Sequence, residues 1–304
     1  MPKVFYFHGS RDWIEWAVTL IALENQCEDE AVVIRQLSRT LTASDLDKLS
    51  KEGARMVHMV EGARERMAWH ARLGHSFLDS LREEIGGATC AIELSRRIPC
   101  VSIDLTDPAT RLNARQILVE SIFERHGMVP EEYPPGPVAR MTMTSAAFTG
   151  HDEELQRKLI ECCLEPLCLS TLSSDPFRFV WPREVFLAGD RLGSVLEPVV
   201  EIGGGPRVLS YGPYFQVPTG KWLVEALLGF SADIGDMPFL VEIYGGEVLY
   251  RGYFRAVDGG VFKLRFELEL DRLRAPIEVR LVSQESALEG RMSLIEIEFT
   301  SLSH

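Results

Sequence analysis

The residues of this chain that could do chemistry cluster at the ends of short apolar runs. Val4 to Phe7 is one such run, and it stops at His8-Gly9-Ser10-Arg11-Asp12. A loop that opens a helix presents backbone N–H groups to an anion. Here Ser10 and Arg11 would bind the ligand, with the His8 imidazole beside them. The run Arg55 to Val60 stops at Glu61, and the run over 99–105 carries Asp104 near its end. Carboxyl groups so placed become general acids or bases when burial moves their pKa. His8, Glu61 and Asp104 are therefore the candidate catalytic residues. Helix capping accounts for Ser10, Asp12 and Asp107 equally well.

Other chemical patterns are missing or poorly spaced. No G-x-G-x-x-G follows the first run, and Gly220-Lys221 precedes Trp222 rather than a phosphate-loop Ser or Thr. Neither H-E-x-x-H nor G-x-S-x-G occurs. On one continuous helix His70 and His75 would lie far round from each other, a poor metal pair. Adjacent Cys162 and Cys163 would diverge similarly, and no histidine stands at a finger-like spacing from them or from Cys168. No metal ligand is expected, and no cofactor is assigned.

The elements that must position these residues follow from periodicity. Apolar runs alternate with amphipathic stretches four times over residues 4–126. That order predicts a parallel sheet with helices on both faces, Rossmann-like or flavodoxin-like. The third helix is expected to run long, through Met67, Ala71, Leu78 and Ile85, and to stop at Gly86-Gly87 before a short helix over 90–96. Ligands of such sheets sit outside the C-terminal strand ends where strand order reverses. Residues 127–150 are rich in proline and glycine, with a weak edge-strand pattern over 138–144. From Glu184 the period changes to two. Phe262, Leu264, Phe266, Leu268 and Leu270 alternate with Lys263, Arg265, Glu267 and Glu269, and similar patterns mark 195–202, 207–211, 221–230, 239–244, 248–255, 277–281 and 295–299. The expected domains are α/β over 1–127, a connector with one helix over 128–183, and an all-β antiparallel sandwich, jelly-roll-like, over 184–304.

A net charge of −13, divided as −4 over residues 1–150 and −9 over the remainder, argues against a nucleic-acid partner. No run of about 18 apolar residues suggests a membrane span, and no secretory pattern opens the sequence. Six irregularly spaced cysteines fit reduced thiols, so a cytoplasmic protein is expected.

The segment Tyr211-Gly-Pro-Tyr-Phe, then Pro218-Thr-Gly-Lys-Trp222 entering a strand, combines turn chemistry with aromatics. With the alternating strands after it, this segment resembles carbohydrate-binding or accessory β-sandwich modules of bacterial glycan-related proteins. The resemblance covers about residues 186–304 and implies a glycan or other small-molecule ligand. Arg207, Tyr211 and Tyr214 are the ligand-binding candidates. Tyr244, Tyr250 and Tyr253 are further rings, and Gln216, Arg251 and Arg280 further polar groups. Trp222 shares a face with Val224, Ala226, Leu228 and Phe230, which places it in the core.

Residues 3–12 also look like the first strand and helix of TIR domains, and Cys90-Ala-Ile-Glu93-Leu94 followed by Ile98-Pro99-Cys100-Val101 resembles that family's Cys-x-x-Glu-Leu segment. This resemblance implies NAD cleavage with Glu93 as the acidic residue. The chain departs from the pattern at Thr89, where a tryptophan is expected, and in the 30 positions from Val60 to Cys90. His8-Gly9-Ser10-Arg11 is similar to the opening of small tetrapyrrole chelatases, without their second histidine segment. Three readings result: a glycan-binding sandwich joined to an α/β ligand-binding domain, an α/β enzyme acting on a nucleotide or phosphorylated substrate, and an assembly protein whose sandwich packs a partner or a second copy as a homo-oligomer.

Overall fold

The structure, a computed structural model, describes residues 3–9, 11–25, 32–36, 41–123, 152–172 and 175–302. Ser10, Cys27, the side chain of Arg11 and the proline-rich stretch with its expected edge strand lie outside the described residues. The chain divides into two compact units, Met1–Ser174 and Asp175–His304.

The first unit is α/β. Its strands β1 (Lys3–His8), β2 (Val32–Gln36), β3 (Arg55–Val60) and β4 (Cys100–Asp104) form one parallel sheet in the order β2-β1-β3-β4. Alternation along the strands sorts their side chains. Phe5, Phe7, Val57, Met59 and Ile103 form a core with Trp13, Ala17 and Leu20 of helix α1 (Arg11–Asn25) and with Leu118 and Ile122 of α6 (Ala114–Phe123). His8 and His58 point to the other face, under the long helix α4 (Phe77–Ser95). The remaining helices are α2 (Ala43–Lys51), α3 (Ala63–Arg72), α5 (Pro108–Leu112), α7 (Glu153–Leu159) and α8 (Glu165–Leu169), with a π-helical turn at Ile160–Leu164. Asp107 caps α5 by accepting from the Thr110 N–H at 2.7 Å, and Pro108 follows at the first helical position.

One expected helix is two. The chain breaks at Leu73–Ser76, not at Gly86-Gly87. Gly74 turns left-handed with φ +73°, which favours glycine, and Ser76 opens α4 by accepting from the Asp79 N–H at 3.2 Å. Gly86 and Gly87 lie inside α4 and are fully buried there. Gly87 gives a close approach, because a Cβ at this position would stand a tight 3.3 Å from His8 Nε2 and 3.5 Å from Arg66 Nη2.

The second unit is an antiparallel β-sandwich. One sheet has the order β13-β10-β15-β5, from Gly260–Leu270, Gly220–Phe230, Arg291–Ser301 and Arg178–Pro182, with β7 (Val200–Glu201) also on β15. The other has the order β12-β11-β14-β8-β6, from Val248–Ala256, Met237–Tyr244, Ile277–Ser283, Arg207–Tyr211 and Leu187–Ala188, with β9 (Pro213–Phe215) also on β14. β5 falls in a stretch read from sequence as irregular connector, and β7 is much shorter than the strand expected over 195–202. The period of two buries one face of each strand. Trp222, Val224, Ala226, Leu228 and Phe230 of β10 all face inward. Ring contacts link the sheets, as between Phe230 and Phe239 with centroids 4.9 Å apart. Trp222 is core as expected, its Nε1–H donating to the Pro218 carbonyl at 2.9 Å. No helix of the described residues is long and apolar enough to cross a membrane.

Candidate functional site

In the first unit, β1 leads outward to β2, and the chain then returns across β1 to β3. Strand order therefore reverses between β1 and β3. The residues at those two ends are His8 and Glu61, and the fold brings them together. Strands β1 and β3 pair in register with His8 opposite His58, and a Cβ at Gly9, the residue after His8, would lie 3.6 Å from Glu61 Oε2. Asp104 ends the neighbouring strand and turns elsewhere. Its Oδ1 accepts from the Thr106 N–H and hydroxyl at 2.9 and 2.5 Å, an Asx turn. Glu93 lies at the far end of α4, within 3.5 Å of Arg96 and 3.8 Å of Arg97, before the start of β4 rather than at the C-terminal edge of the sheet.

Around His8 and Glu61 lies a buried ionic network that the sequence reading missed. Arg66, only 4% exposed, donates from Nε to Glu84 Oε2 at 2.7 Å, and its Nη2 lies 2.6 Å from the same oxygen. Nη2 also stands 3.5 Å from His8 Nε2. The other oxygen of Glu84 contacts His70 Nε2 at 2.8 Å. Glu84 thus joins an arginine on the first turn of α3 to a histidine near its end. Burial alone would lower the Arg66 pKa, but the charges of Glu84, Cys168 and Glu61 and the bond to Glu84 raise it overall. Burial beside this cation pushes the Cys168 thiol up to about 11, the burial exceeding the opposing pull of Arg66. Arg66 and Glu84 were legible only as helical charges, since nothing local says that α3 and α4 fold onto each other. His8 and Glu61 are both buried.

In the second unit, the outer face of the β12-β11-β14 sheet gathers charge and rings. Glu242 stands opposite Arg251 on one side and Arg280 on the other. Arg251 Nε donates to its Oε2 at 2.7 Å and Arg280 Nη1 to its Oε1 at 2.9 Å. Arg280 Nη2 donates to Glu278 at 2.7 Å, and its guanidinium lies 4.8 Å above the Tyr244 ring. These paired arginines cover Glu242 to 7% exposure. Burial pushes the Glu242 carboxyl up, yet bonds from Arg251 and Arg280 outweigh it and hold the group below its ordinary 4.5. The Tyr214 hydroxyl is raised by burial and by the charge and hydrogen bond of Glu278. Tyr211 packs edge-on against Tyr214 with centroids 6.3 Å apart. Tyr253 stands 70% exposed at the other end of the face.

Tyr214 has φ +66°, a left-handed conformation uncommon for a bulky side chain. Such strain persists where surrounding structure over-determines it, often at functional sites. The fold joins Tyr211 and Tyr214 to this face but not Arg207. The Arg207 guanidinium donates to the carbonyls of Glu201, Ile202 and Gly203 at 2.6 to 3.2 Å and ties down the loop before β8. Tyr250 stacks on Phe266, centroids 3.9 Å apart and nearly parallel, and joins the edge strands of the two sheets. Glu242 and Glu278 were not singled out from sequence. A two-residue Gly245-Gly246 loop would set Leu249 opposite Glu242; instead Tyr244 stands opposite Val248 across three residues, and a further one-residue shift at Ile243/Tyr244 puts Arg251 there.

No protein-family model matches the sequence, and no curated protein does. The C-terminal half is similar in fold to carbohydrate-binding modules of known structure. The C-terminal CBM6 of LamC, a marine laminarinase from Zobellia galactanivorans, matches at TM-score 0.29 and 15% identity over 41% of this chain and 99% of that one. The xylan-binding module CBM15 matches at 0.30 and 10%, over 42% and 99%. The VP2 subviral particle of infectious bursal disease virus matches equally, at 0.30 and 10%, over 43% and 33%. At such scores the likeness carries no argument about a ligand, which must come from the chain's own residues.

Proposed function

We propose that the second unit binds a glycan on the outer face of its β12-β11-β14 sheet. The observation that carries this is the row Arg251–Glu242–Arg280–Glu278, prearranged by its own hydrogen bonds and flanked by the rings of Tyr253, Tyr244 and Tyr214. Sugar hydroxyls need fixed charged donors and acceptors, which form stronger hydrogen bonds than neutral ones. The C–H faces of pyranose rings pack on aromatic side chains, and tyrosine offers an apolar body with a polar tip. Tyr253 and Tyr244 flank the charged row along four strand residues or so, about 14 Å, room for a short oligosaccharide. The opposite sheet presents Lys263, Arg265 and Glu225, an ordinary solvated ion-pair surface.

On this reading the paired sheets support a jelly-roll-like assignment for the sandwich. The order β2-β1-β3-β4 supports a flavodoxin-like one for the first unit, with its ligand at the reversal between β1 and β3. The test is affinity electrophoresis and calorimetry of the full chain against a panel of soluble polysaccharides. Tyr253→Ala and Arg251→Ala are each expected to weaken binding at least tenfold, whereas Lys263→Ala on the other sheet leaves it unchanged. Binding to no polysaccharide, or binding indifferent to Tyr253→Ala, would sink the proposal.

A further inference from the structure

We infer that the first unit carries a binding site for a divalent transition-metal ion of the zinc class, built from His70, His75 and Glu83. The break between α3 and α4 creates it. Helix α3 ends at Arg72, Gly74 reverses the chain, and His75 swings back over the end of the helix it has just left. Its Nδ1 comes to 3.1 Å from His70 Nδ1. Glu83, on the second turn of α4, brings Oε2 to 3.7 Å from the same His70 nitrogen. One ligand atom from each of the three residues lies within 4.8 Å of the other two.

The separations of 3.1 and 3.7 Å from His70 Nδ1 are close to those of metal ligands. Zinc binds imidazole nitrogen at about 2.0–2.1 Å, so two such ligands on a tetrahedron stand roughly 3.3 Å apart. The donor chemistry selects the ion: two imidazoles and one carboxylate suit zinc and its neighbours, whereas calcium and magnesium take oxygen ligands. His75 and Glu83 are exposed while His70 is buried, so an ion can enter from solvent and keep a fourth position for water.

A second, independent feature points the same way. Metal-ligating histidines give their other ring N–H to a carboxylate, which fixes the tautomer and raises ligand basicity. Glu84 stands in that position, with Oε1 2.8 Å from His70 Nε2. Its own orientation is set by Arg66 on Oε2. Adjacent residues Glu83 and Glu84 thus take different roles, the exposed one as ligand and the buried one as orienting group. A proton on Nε2 leaves the Nδ1 lone pair directed at His75 and Glu83.

The test uses the full-length, tag-free chain. Calorimetric titration with zinc should show one equivalent bound. Cobalt(II) in its place should give the visible d–d spectrum of a nitrogen–oxygen site, without the thiolate charge-transfer band that Cys162 and Cys163 would add. His75→Ala and Glu83→Gln replace exposed side chains and are expected to lower zinc affinity at least tenfold with unchanged circular dichroism. Glu84→Gln should lower it by about ten- to a hundredfold if it folds, and the two exposed variants decide the matter if it does not. Absence of stoichiometric binding, a thiolate band, or binding retained by His75→Ala would each overturn the site. The last two would leave the 3.1 Å contact as a hydrogen bond between imidazoles.

Discussion

Acid should weaken the first unit through one residue, His58. This side chain is 1% exposed on β3, and among the described residues neither ring nitrogen has a hydrogen-bond partner. Burial, reinforced by the nearby Arg66 cation, lowers its pKa from 6.5 to about 3. The unfolded chain titrates His58 at its ordinary value. Between pH 6.5 and about 3 the unfolded state therefore holds a proton that the folded state refuses, and stability falls as pH falls. Each pH unit in that window costs about 1.4 kcal/mol, and the whole window about 5 kcal/mol. From pH 6.5 to 5.0 the cost is about 2 kcal/mol, a substantial share of the 5–15 kcal/mol of a typical domain.

His58→Phe removes the titration and keeps a ring of similar shape against His8, whose centroid lies 4.8 Å away. Urea unfolding of both proteins, followed by helical ellipticity, reports this unit, because α1 to α8 all lie within it. The stability difference between variant and wild type should be level above pH 7. Below pH 6.5 it should widen in favour of the variant by about 1.4 kcal/mol per unit, since other groups cancel in the comparison. Parallel curves from pH 7.5 to 5.0 would show that His58 accepts its proton in the folded state and would refute the reasoning.

Two substitutions probe the sandwich. Trp222→Phe empties part of the core and leaves the Pro218 carbonyl without the indole donor. It should destabilise the second unit by about 2–3 kcal/mol, read by thermal unfolding, and a change below about 0.5 kcal/mol would mean that Trp222 does not anchor the sheets. A methyl at Gly189 would overlap the Val208 backbone carbonyl. Gly189→Ala is therefore expected to cost at least about 2 kcal/mol, and an unchanged melting temperature would show that the β6 edge yields freely.

Much of the fold was legible because its causes are local. The period-two alternation of β10 and β13 assigned their inward faces, and the inward position of Trp222 followed from the same rule. In β15 the alternation holds for Ile297 and Phe299, but a register shift against Leu227/Leu228 leaves Ile295 exposed and buries Leu294 instead. Asp107-Pro108 marked the start of α5. The helix break has local causes too, in Gly74 with Ser76 and Asp79 and not in Gly86-Gly87. The former set combines a left-handed stop with a side-chain cap, whereas the missing side chain of Gly87 makes room for His8 and Arg66.

The candidate sites were legible only in part. Periodicity named His8 and Glu61 as strand ends, and the strand order put them at one reversal point. It could not supply Arg66 and Glu84, whose partnership spans 18 residues and two helices. Arg207, by type a ligand residue, turned out to hold carbonyls, because the loop that needs it is formed by residues on the far side of a glycine run.

By itself, then, the sequence determined two kinds of architecture in order along the chain, since hydrophobic period, caps and turns act over a few residues. Tertiary structure decided what the polar side chains do. The reversal at Gly74 turned a mismatched pair of histidines into neighbours, and a shift of strand register turned Arg251 toward Glu242. Both outcomes depend on which distant backbone comes to lie within about 3 Å, hydrogen-bonding distance, and no local pattern carries that information.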